Sequence, residues 1–115
     1  MLEINMEFRK GILFIRLNGI LDKTTVTKLH EEVTDIVKEN GIRNIVFNIE
    51  QLTHIDITGI NELLYNYKLC QKNNGKSLLC GIQHEQVKNK INKSHILKYM
   101  NEIHDELSAF KMIHV

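Results

Sequence analysis

The residue pattern predicts an α/β domain with a mixed sheet of four to five strands and about four helices, spanning residues 1–115. Three observations carry that expectation. Two apolar, β-branched runs near the start are split by a glycine-containing connection, as in a hairpin. Further apolar runs at 44–49 and 77–82 then alternate with helical periodicity at 24–40 and 58–71, the order that builds parallel strands with crossover helices. Linkers, repeats and low-complexity segments are not discernible.

Residues 4–8 alternate apolar and polar, as a half-buried strand does. Arg9, Lys10 and Gly11 turn the chain into a more apolar strand at 12–17, and Asn18 and Gly19 break that run. From Thr24 to Asn40, Val26, Leu29, Val33, Ile36 and Val37 recur at helical spacing, with Lys28, Glu31, Glu32, Asp35 and Lys38 opposite. Asp22, Thr24 or Thr25 is placed to cap the start, and Asn40–Gly41 to stop it. Strand 44–49 follows. Asp56, Ile57, Thr58 and Gly59 then form a short connection to a helix with Ile60, Leu63, Leu64 and Tyr67 on one face. Strand 77–82 comes next, then a short helix at 85–92 with Val87 and Ile91 inward. A short edge strand at 98–103 and a last helix at 106–113, capped by Asp105 and facing inward through Leu107 and Phe110, complete the order.

Composition narrows the function classes. Lys and Arg total 15 against 14 Asp and Glu, a net charge of +1. That balance lacks the basic footprint of a nucleic-acid or membrane-surface protein. Apolar stretches fall far short of the ~20 residues that span a bilayer, and the acid at Glu3 does not fit a basic signal-peptide start. Two cysteines, Cys70 and Cys80, are too few for a disulfide framework and fit a reducing cytoplasm.

Candidate chemistry is sparse. His54 and Asp56 have no further partners at metal-ligand spacing, so no metal and no cofactor are expected. Cys80 with His84 would need an orienting group and an oxyanion site, and Cys80 alternates within an apolar run where cysteine is a small inert hydrophobe. Asn73–Lys76 lacks the frame of a phosphate loop. The chain is therefore not expected to be an enzyme. What stands out is a helix N-terminus with Asp56 and Thr58 as capping residues and little side-chain cover at Gly59, a place for a docking partner.

In its setting this stretch resembles the STAS domain family, in particular the bacterial anti-sigma factor antagonists of the sporulation type. Residues 15–22 are similar to the family's apolar strand followed by Gly-x-Leu-Asp, and 42–50 to its central strand. Residues 52–60 lie where the family has an apolar residue, Asp, Ser, Ser or Thr, then Gly, and 75–82 resemble the next strand. The similarity runs from about residue 3 to 113.

The resemblance implies a STAS-like fold and a cytoplasmic, monomeric or weakly dimeric protein that docks on an anti-sigma factor of the serine-kinase type and frees its sigma factor. Phosphorylation of the first hydroxyl residue after the Asp would end docking, because a phosphate adds about −1.5 to −2 charges. Here that position is Ile57, which has no hydroxyl, while Thr58 matches the neighbouring one. The implied contacts are Asp22, Asp56, Ile57, Thr58 and Gly59, with Asn61 and Glu62 on the outward side of the helix. Two outcomes stay open: an absent switch, leaving an antagonist permanently competent or regulated by amount, or phosphorylation at Thr58. The first is favoured because Thr58 is also a natural helix cap, its hydroxyl then committed to backbone N–H groups. The alternative is a STAS scaffold subunit of a stress-signalling assembly, which residues 81–87 also resemble.

Overall fold

Eight residues of alternating character, Leu2–Arg9, form strand β1 and pair antiparallel with β2, Ile12–Leu21. Only Lys10 and Gly11 lie between them, at φ 50° and 82°. That is the left-handed backbone a two-residue hairpin turn requires. The computed structural model describes residues 1–113, so the last two residues of the predicted domain lie outside the described part.

Helix α1 follows, but it is not one regular helix. It is α-helical at Val26–Leu29, π-helical at His30–Thr34 and α-helical again at Asp35–Glu39. Leu29, Val33 and Val37 face the core; Ile36, expected there, is exposed. Strand β3 runs from Asn44 to Ile55, six residues beyond the expected end at 49, and helix α2 from Ile57 to Lys72. The expected four-residue connection therefore shrinks to Asp56 alone.

Strand β4 (Ser77–Cys80), helix α3 (Glu85–Ser94), strand β5 (Asn101–Glu102) and helix α4 (Ala109–Met112) complete the chain. Of the expected edge strand at 98–103 only Asn101–Glu102 is a strand; Lys98 ends a 3₁₀ turn, Ile96–Lys98, and Tyr99 and Met100 bend the chain. The last helix is one turn long; Leu107 is 67% exposed rather than inward. The side chain of Asp105 accepts from the Ser108 N–H and hydroxyl, closing a turn before α4.

The sheet order is β1-β2-β3-β4-β5, antiparallel at the first pair and parallel from β2 to β5. The result is the predicted mixed five-stranded sheet with four helices. Alternation along the strands divides the apolar side chains between its two faces. Leu13, Ile15, Leu17, Ile45, Phe47 and Leu79 pack under α1, α2 and α3. Ile12, Phe14, Val46, Leu78 and Cys80 face the other way and are covered by Ile103, Ala109, Phe110 and Ile113.

Candidate functional site

Where β2 and β3 end side by side, Leu21 opposite Ile55, the chain turns into α1 and α2. Asp56 ties the starts of both helices together. Its Oδ1 accepts from Gly59 N–H at 3.0 Å, capping α2, and its Oδ2 accepts from Lys23 N–H at 3.1 Å in the β2–α1 loop. Its own N–H donates to the Leu21 carbonyl at 3.2 Å. With both carboxylate oxygens occupied, Asp56 fixes the tip rather than reaching outward.

The β2–α1 loop is internally braced as well. Asp22 Oδ1 accepts from the Thr24 hydroxyl at 2.6 Å and the Thr24 N–H at 2.9 Å. Those bonds, the Thr24 hydroxyl first, hold the Asp22 carboxyl below the usual carboxylate range. Thr25 receives the Asp22 N–H on Oγ1 and donates its hydroxyl to the Ile20 carbonyl at 2.8 Å. None of the three candidate residues caps α1 by a side-chain bond; Asp22 holds it through its carbonyl, which accepts from the Thr25 and Val26 N–H groups.

Ile57 is the first residue of α2 and 63% exposed. It stands on the same helical face as exposed Asn61, one turn along. Thr58 is half-buried, and the cap bond belongs to Asp56 and not to its hydroxyl. The expected commitment of the Thr58 hydroxyl to the cap is thus corrected: a capping side chain must precede the first helical turn, and Thr58 already lies inside it.

Gly59 is buried, and the close approach it permits is by the chain itself. A Cβ there would meet Leu21 Cγ at 2.7 Å, the Leu21 carbonyl oxygen at 2.8 Å and Ile55 Cγ1 at 3.0 Å. Glu62, expected on the outward side, turns toward α1, with a side chain only 13% exposed. Its Oε2 accepts from the Thr34 hydroxyl at 2.6 Å and lies 2.9 Å from His30 Nδ1. Asn66, fully buried, donates to Thr34 Oγ1 at 2.9 Å, and His30 stacks on Tyr65. Both α1 partners lie in the π-helical segment His30–Thr34.

Sequence reading missed two further supports. Gln86 of α3 donates through Nε2 to the Ile55 carbonyl and accepts the Ile55 N–H on Oε1, both at 2.9 Å. Arg16 binds Glu106 through Nε at 2.8 Å and Nη2 at 2.7 Å, and reaches Glu7 at 2.9 Å. Both pairs are far apart in the chain, and no local pattern marks them.

The remaining candidate chemistry fits packing. Cys80 is buried, and that burial foremost, then nearby Glu106, pushes its thiol up to about 12. Burial likewise raises Cys70 to about 11. Among the described residues no group of three His, Cys, Asp or Glu side chains is placed to hold a metal ion. No helix among them is long and apolar enough to cross a membrane.

Comparison with known proteins bears on this arrangement. The "Anti-sigma F factor antagonist" of Paenibacillus polymyxa is 26% identical over 114 residues, covering 99% of this chain and 97% of its own. The "Anti-sigma-B factor antagonist" of Staphylococcus aureus is 29% identical over 68 residues, 59% of this chain and 62% of its own. Among solved structures, an anti-sigma factor antagonist from Mycobacterium paratuberculosis superposes with a TM-score of 0.85 at 14% identity, over 98% of this chain and 94% of that one. Unphosphorylated SpoIIAA gives 0.75 at 18% identity, over 96% of each chain. The fold is shared with these. A model of the STAS domain matches residues 3–109, and the chain belongs to the STAS domain family.

Proposed function

We propose that this protein is an anti-sigma factor antagonist that binds its anti-sigma factor, of the serine-kinase type, at the tip formed by the start of α2 and the β2–α1 loop. The carrying observation is Ile57: a large apolar side chain, 63% exposed, on the first turn of a helix whose start Asp56 locks to the neighbouring loop. Burying such a side chain in a partner contributes about 1.5–3 kcal/mol. The full-length relationship to a protein named as an anti-sigma F factor antagonist supports the reading. Contacts come from Ile57 and Asn61 with exposed Lys23 and Thr24. Asp22, Asp56 and Gly59 act by holding that surface in shape.

The serine switch implied by the family resemblance is absent at Ile57, and we propose that docking is governed by the amount of the antagonist. Thr58 is half-buried within the helical turn, a poor approach for a kinase.

The test is a binding titration against the purified anti-sigma factor of the source cell. Ile57→Asp is expected to weaken binding by about 10- to 100-fold with an unchanged melting temperature. Binding equal to the parent protein's would remove Ile57 from the contact surface. After incubation with kinase and ATP, mass spectrometry should find no phosphate on residues 56–59, and Ile57→Ser should gain one. Stoichiometric phosphothreonine at Thr58 would replace the absent switch with a shifted one.

A further inference from the structure

The two edges of the sheet are built differently. At one side β5 has two residues, too short to template another strand. At the other, β1 offers eight residues without proline, and among the described residues no segment pairs with its outer edge. Which backbone groups face out follows from the hairpin. The two-residue loop makes Arg9 and Ile12 a hydrogen-bonded pair, and the Ile20 N–H donates to the Met1 carbonyl at 2.9 Å. Odd-numbered residues of β1 therefore bond to β2, and the N–H and C=O groups of Ile4, Met6 and Phe8 point to the free edge. Leu2 is already taken: its carbonyl accepts from Lys28 Nζ at 2.7 Å.

We infer that β1 pairs antiparallel with β1 of a second copy of this chain, about a two-fold axis at Met6, so that two sheets join into one. The free groups select this register. Centring on Met6 sets Ile4 against Phe8 of the second copy, Phe8 against its Ile4, and Met6 against its Met6. Every outward N–H and C=O between Lys28's bond at Leu2 and the turn at Lys10 then has a partner.

The side chains agree with the same register. On one face Glu3 opposes Arg9 of the second copy, and Asn5 opposes its Glu7. Sliding the axis to Asn5 would set Glu3 against Glu7 and need the Leu2 carbonyl that Lys28 holds. Sliding it to Glu7 would place two glutamates on the axis. Like charges directly opposite destabilise a strand pair. On the other face Phe8, 59% exposed, and Met6, 36% exposed, gain apolar cover from the second copy. The pairing is isologous and closes at two copies. It uses an edge separate from Ile57, so its success or failure is independent of the antagonist reading.

Sedimentation velocity of the full chain from about 1 μM to 1 mM tests this, with circular dichroism confirming the fold of each variant. The parent protein is expected to pass from monomer to dimer. Glu3→Arg and Arg9→Glu alone each set like charges opposite one another and should weaken the dimer about tenfold. The double variant restores opposite charges and should restore the dimer. Met6→Pro removes an outward N–H that β2 does not use, and should leave a folded monomer. A monomer throughout, a larger assembly, a dimer indifferent to the single charge reversals, or a double variant no tighter than the singles would overturn the inference.

Discussion

Ile57 and Gly59 sit two positions apart and divide the labour of the tip. Ile57 points out and is free to change: Ile57→Asp should alter stability by no more than about 0.5 kcal/mol, checked by urea denaturation. Gly59 points in. Alanine is the better helix former by about 1 kcal/mol, but its Cβ would lie 2.8 Å from the Leu21 carbonyl oxygen, backbone at the end of β2 that is paired with β3. Crowding decides the sign. Gly59→Ala should destabilise by about 1–3 kcal/mol in the same assay, and a neutral or stabilising result would show that Leu21 yields. The composition of this turn was legible in the sequence: Asp, apolar residue, Thr, Gly. Which of the four faces solvent was not, because the direction of each side chain depends on where Leu21 and Ile55 stand.

Strand β3 shows why an element's length can escape its sequence. Its buried side chains past Ile49 are Leu52 and Ile55, at intervals of three. Strict alternation fails there, and the pattern predicts a strand ending at 49. The register against β2 shifts twice, between Arg16 and Asn18 and between Gly19 and Ile20, each time giving β3 an extra residue. Each bulge flips the facing side and returns the next apolar residue to the core. Beyond the Asn48–Cys80 pair, β4 no longer accompanies β3, and Gln86 takes over by pairing with the buried Ile55 backbone. Gln86→Ala leaves that N–H and C=O without partners and should cost about 1–3 kcal/mol. Gln86→Glu keeps the acceptor and loses the donor, so it should fall between. A denaturation midpoint unchanged in Gln86→Ala would show that water replaces the amide. The interrupted α1 is similar: helical apolar spacing marks the helix, whereas nothing in that spacing marks the π-helical segment that carries His30 and Thr34, the partners of Glu62.

Across the whole molecule, Arg16 ties β1 and β2 to the chain's end. Its bonds to Glu106 and Glu7 raise its own pKa and, with Arg16 as the first cause, hold Glu106 below the usual carboxylate range. A carboxyl whose pKa is lower folded than unfolded contributes stability above its unfolded pKa, about 4.3. That contribution disappears as pH falls through the folded value. Glu106→Gln should therefore cost about 1 kcal/mol near neutral pH, the modest figure reflecting an Arg16 side chain 35% exposed. The difference from the parent protein should shrink from about pH 4 downward. A gap constant with pH would mean that packing, not charge, holds residues 105–113 on the sheet.

Periodicity and turn residues by themselves determined the α/β class, the hairpin and the crossover helices, while the resemblance to the family was carried by residues such as 52–60. These are local properties, since the faces of a strand and of a helix repeat every two and every 3.6 residues. The tertiary structure alone decided the bulges of β3, the inward turn of Glu62, the outward turn of Ile57 and the bond from the Lys23 N–H to Asp56. Each depends on a partner distant in the chain, Leu21, Thr34, Lys23 or Gln86, whose proximity is set by packing two layers together and not by any spacing along the sequence.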